Sequence, residues 1–278
     1  METGNKKNKN EGLNLSSLFR QSSPAKASGL AFTWSTILPT VLSFLFIIVA
    51  VATGAMKGDY ETKDWFLYTN FLLPQISFII VALLYFVQPK EGRTGDTKNC
   101  EKGRIFGQKC APKYFLIAVL LQIGLLSLSE LNGLFLSFLE RFGYEDKGIS
   151  LPNMDGFGFI GVLFVIAVLP SILEELIFRG VLLNGLKTAF GTIGSVLVCG
   201  ALFSLYHQNP AQTVYQFCCG MIFALVAIRS GSILPTILSH FLNNLFILVM
   251  YKLGITEFSP TVLIMAFRLA LKRATLQR

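Results

Sequence analysis

Seven long apolar runs constrain this chain more than any other feature. They cover roughly Leu30–Ala55, Trp65–Val87, Tyr114–Leu139, Phe157–Leu186, Thr192–Tyr206, Gln212–Ile228 and Ser232–Leu253. A helix needs about 20 apolar residues to cross the hydrocarbon layer, and only helices and closed barrels satisfy their backbone there. The long apolar runs make the expectation an all-α polytopic membrane protein. An eighth run, Pro260–Leu271, is shorter and holds Arg268. Ser259 followed by Pro260 reads as a helix start, for an eighth crossing or an interfacial helix. The first run is too long for the core of a signal peptide and should stay as a helix.

Composition agrees. Hydrophobic residues make up 53% of the chain and charged ones only 14%, against about a quarter in soluble domains. The net charge of +8 does not argue for nucleic acid, because the basic residues lie in the gaps between apolar runs. They follow the positive-inside rule instead. Lys6, Lys7, Lys9, Arg20 and Lys26 precede the first run, and six basic residues lie between Gln88 and Pro112. The gaps 56–64 and 140–156 hold only Lys57 and Lys63, and Arg141 and Lys147. Alternation then puts both termini in the cytoplasm, which requires an even number of crossings and favours eight.

The sequence divides into a basic disordered tail (1–29), N-terminal transmembrane helices (30–155), a core (156–253), and a short helix with a basic tail (254–278). Cys199, Cys218 and Cys219 lie in apolar runs and read as small hydrophobes. Cys100 and Cys110 share a polar loop without His, which is no zinc motif.

Charge inside the apolar runs is scarce, since a charged side chain at bilayer depth costs from about 2.5 to more than 10 kcal/mol. The exceptions are therefore informative. Glu130, towards the outer end of the third run, reads as structural; "EELIFR" carries Glu174, Glu175 and Arg179; "FSLYH" ends on His207; "HFLNN" carries His240, Asn243 and Asn244. These are the chain's only two histidines. Glu175 and Arg179 are four apart and share a helix face. Glu174 is turned about 100° from Glu175 and is left to point into the bundle. Pro170 is placed to bend the helix just before them. A Glu and two His on three helices suit hydrolysis. The Glu can take a proton from water, the imidazoles can hold a metal or polarise a carbonyl, and an Asn amide can donate to an oxyanion. Structural readings compete: a buried ion pair, an interfacial His207, a His–Asn pair joining two helices.

Ordered on successive apolar segments, EExxxR, FxxxH and HxxxN resemble the CPBP family of CAAX prenyl endopeptidases and bacteriocin-processing or immunity proteins, also called Abi proteins. The match covers roughly 157–250; residues 1–156 carry no such motif. The resemblance implies a CAAX-protease-like intramembrane endopeptidase, acting on a peptide precursor or membrane-associated protein in the bilayer. Glu174 would be the general base, supported by Glu175 and Arg179. His207 would work with Glu174 on the water or a metal. His240 and Asn244 would stabilise the oxyanion, or His240 would complete a site with Glu174 and His207 for a divalent metal such as zinc. Short loops fit a bacterial plasma membrane. The alternative is a non-catalytic immunity or scaffold protein. A transporter would show inverted repeats, and none is visible.

Overall fold

The computed structural model describes residue 19 and residues 23–86 and 110–254. Six helices among them are long and apolar enough to cross a membrane. Helix α1 spans Pro24–Ala52, α2 Asp64–Phe86 and α3 Lys113–Glu140. The fourth, Gly158–Tyr206, has 49 residues, about 74 Å if straight, more than twice a hydrocarbon layer. It is not straight. Gly191 takes φ 66°, ψ −170°, a conformation glycine reaches without a Cβ clash. Cys199 Sγ lies 3.8 Å from the Phe178 carbonyl, 21 residues back, where a straight helix would put them about 31 Å apart. The chain therefore folds back into two arms, α4 (158–190) and α5 (192–206). Helices α6 (Thr213–Ser230) and α7 (Leu234–Lys252) complete the bundle.

The expected apolar runs thus become seven helical arms. The eighth run, residues 87–109 of the basic loop and residues 255–278 lie outside the described residues. One boundary differs: α1 begins at Pro24 rather than about residue 30. Ser23 Oγ accepts from Lys26 N at 3.3 Å and Pro24 takes the first position, where its missing N–H is harmless. Phe19 is also buried and packs on Tyr85, so part of the expected tail joins the bundle.

Long-range hydrogen bonds fix the two ends. Tyr114 OH donates to Arg229 O, which sets the start of α3 beside the end of α6, and Ser28 lies against Gly185, which sets the start of α1 beside the stretch before the Gly191 turn. At the other end Asn153 N donates to Asp64 Oδ1 and Lys252 Nζ to Met154 O. Apolar burial drives little helix association in lipid, so close packing matters more. The α5–α6 contact shows this. A Cβ on Gly220 would fall 2.8 Å from Gly200 Cα and 3.0 Å from Phe203 Cβ. Gly220→Val should push the two helices apart, lowering stability by about 1–3 kcal/mol, read as a lower melting temperature in detergent. An unchanged value would show that the crossing is looser than described.

Candidate active site

Helix α4 places the acids. Its α-helical turn Leu169–Glu175 lies between two π-helical stretches, Leu163–Val168 and Leu176–Leu182, a wider winding common at functional sites. Pro170 supplies part of the cause. It has no N–H to give Ile166 O, four residues back. Asn244 Nδ2 on α7 donates to that carbonyl at 3.0 Å. One amide proton of Asn244 is therefore committed to holding α7 on α4, and the second is left for other work.

Glu175 is fully buried. Its Oε1 accepts from Arg179 Nη1 at 2.7 Å and from His240 Nδ1 at 3.0 Å. The expected Glu175–Arg179 pair is present, but a second partner 65 residues away completes it. Arg179 also donates through Nη2 to Gly220 O at 3.1 Å. Its guanidinium carbon lies 4.5 Å from the Phe203 ring centroid, 5.3 Å from Phe223 and 5.7 Å from Phe178. Aromatic faces attract a desolvated cation, so the charge is held by one carboxylate, one carbonyl and three rings.

His240 is thereby fixed through Nδ1. A carboxylate only accepts, so the proton on that bond sits on Nδ1 and Nε2 points away. Glu174 Oε2 lies 4.0 Å from Nε2, too far for a direct hydrogen bond. It is buried with no hydrogen-bond partner. A third polar atom bonded to both can sit beside the gap.

His207 closes α5 beyond Tyr206. Its Nδ1 donates to Phe203 O at 2.7 Å, which leaves Nε2 of the neutral ring as an acceptor. The Phe203 ring centroid is 4.7 Å from the His207 ring and 6.0 Å from the His240 ring. The Phe of "FSLYH" is thus a spacer that sets both imidazoles and also faces Arg179. The next residue, Gln208, has φ 49°, a left-handed conformation that is strained for a residue with a Cβ. It turns the chain sharply after His207.

Asn132, on α3, was not among the expected site residues. Its Nδ2 donates to Ala211 O and its Oδ1 accepts from Tyr215 N, clamping the loop that follows His207. Tyr215 OH in turn donates to Asn243 Oδ1 on α7. The visible signal was a lone Asn in an apolar helix, which on its own names no partner.

The expected metal set fares differently. Among the described residues, no three His, Cys, Asp or Glu side chains are grouped to hold a metal ion, so Glu174, His207 and His240 do not form a ligand cluster as placed.

Comparison with known families places this core. Residues 156–246 match the family model described as "Type II CAAX prenyl endopeptidase Rce1-like". No curated protein and no solved structure matches the chain. The matched segment runs from the start of α4 into α7 and contains Glu174, Glu175, Arg179, His207, His240 and Asn244. Together with its apolar helices this describes a multi-pass membrane protein whose residues 156–246 match an Rce1-like family model, consistent with the CPBP family that its three motifs resemble.

Proposed function

We propose that the protein is an intramembrane endopeptidase in which Glu174 activates water. One observation carries this reading: Glu174 Oε2 is buried without a partner, opposite an imidazole whose other nitrogen is already fixed by Glu175. A buried carboxyl beside an oriented imidazole is a general-base arrangement. Ionised Glu174 takes one proton of the water, and His207 Nε2 accepts the hydrogen bond of the other. The water oxygen attacks the peptide carbonyl carbon, and the carbonyl π pair moves to oxygen. The uncommitted amide proton of Asn244 donates to that oxyanion, and His240, held through Nδ1 by Glu175, would donate beside it whenever Nε2 carries a proton. Glu174 then passes its proton to the leaving nitrogen, the C–N bond breaks, and a carboxylic acid and an amine are released.

The substrate class is a peptide or protein held at the bilayer, of the CAAX-protein kind named by the family or a bacterial peptide precursor. Comparing the proteomes of cells with wild type and Glu174→Ala should reveal precursors that remain uncleaved only in the variant. Identical proteomes would favour the non-catalytic immunity or scaffold reading.

The orientation follows from charge. The end of the bundle with Lys26, Lys113, Lys187 and Arg229 has no acid among its described residues, whereas the other end mixes Lys57, Lys63, Arg141, Lys147 and Lys252 with several Asp and Glu. The basic end, and the N-terminus with it, is assigned to the cytoplasm of a bacterial plasma membrane. An impermeant thiol reagent outside intact cells should then leave Cys110 unlabelled until the cells are opened. Rapid labelling of intact cells would invert the topology. Cys100, expected to behave alike, lies outside the described residues.

A further inference from the structure

Four buried side-chain atoms among the described residues have no hydrogen-bond partner: Glu174 Oε2, Glu175 Oε2, Arg179 Nε and Gln75 Oε1. The Glu175 and Arg179 atoms belong to the ion pair and its cage. Glu174 Oε2 is assigned to the water. Gln75 Oε1 is left without a role, and it stands outside the family-matched segment. Gln75 is only 5% exposed. It lies in the middle of α2, and α2 packs on α4 along Leu169–Glu175. Phe78, three residues on and on the same face of α2, has its ring centroid 5.2 Å from that of Tyr206, the neighbour of His207. The carboxamide therefore reaches inward one turn from the aromatic contact that joins α2 to the end of α5.

We propose that Gln75 is a substrate-binding residue, whose Oε1 accepts a hydrogen bond from a backbone N–H of the peptide lying beside Glu174. This rests on the protease reading. A peptide drawn into a dry helical bundle leaves water behind, and each of its N–H groups needs an acceptor there. An orphaned carbonyl oxygen on the helix packed against the acid-bearing turn is such an acceptor. Its lack of a partner within the protein is what a group kept for a ligand would show, because stability alone would favour an apolar residue of the same shape.

The test is Gln75→Leu in the full-length protein. It uses a fluorogenic peptide spanning a cleavage site found by comparing wild-type and Glu174→Ala membranes. The melting temperature should stay level or rise, since the orphaned oxygen is gone. The ratio kcat/KM should fall about 10- to 100-fold, mainly through KM, because the bond is made to bound substrate and transition state alike. A clear fall in melting temperature would make Gln75 a structural residue and overturn the proposal, whether or not the peptide is cleaved. An unchanged KM with a stable variant would overturn it too. Equal cleavage by wild type and Glu174→Ala would instead overturn the protease reading, and the proposal with it.

Discussion

Glu174→Gln should abolish cleavage while the protein accumulates and melts as the wild type does, or higher. The substitution keeps the shape but removes the proton acceptor. Losing a general base lowers rates by about 100- to 10,000-fold, and among the described residues no other acid is placed opposite His240 Nε2 in the same way. Stability should not suffer, because Glu174 Oε2 has no hydrogen-bond partner to lose and a neutral amide is less costly to bury than a carboxylate. Loss of folding with residual cleavage would mean that Glu174 is structural.

Glu175→Gln should do the opposite in part. Arg179 would remain buried with no carboxylate, and removing one partner of a buried ion pair destabilises by about 3–5 kcal/mol. His240 Nδ1 would also lose its charged acceptor, so cleavage should fall as well. The double substitution Glu175→Leu/Arg179→Met separates the two effects. Replacing both buried charges with apolar side chains should restore most of the stability and none of the activity, since His240 stays unanchored. Melting temperatures and accumulation of the three variants check this. A Glu175→Gln protein as stable as wild type would show that the aromatic cage alone holds Arg179.

The sequence carried the local part of this site. Spacing of four put Glu175 and Arg179 on one face, and the neighbouring position turned Glu174 elsewhere; both hold in the structure. Apart from the start of α1, which lies at Pro24 rather than near residue 30, apolar runs marked the helices to within a few residues, because length and composition suffice in a bilayer. What could not be read was pairing across the chain. Glu175 holds His240 as well as Arg179, and the Phe203 and Phe223 rings enclose Arg179, yet helix periodicity gives no register between helices. Pro170 had a readable consequence, a freed carbonyl at Ile166, but not the identity of its partner Asn244. The π-helical stretches around the acids depend on tertiary packing that a regular period does not foresee.

The most direct measurement follows the oxygen of water. Purified wild type and Glu174→Gln, each in lipid nanodiscs, would be incubated in heavy-oxygen water with a precursor that accumulates in Glu174→Ala cells, and the products weighed by mass spectrometry. The account predicts a new C-terminal carboxylate carrying one heavy oxygen with the wild type and no product with Glu174→Gln. The same labelled product from both proteins at the same rate would contradict it.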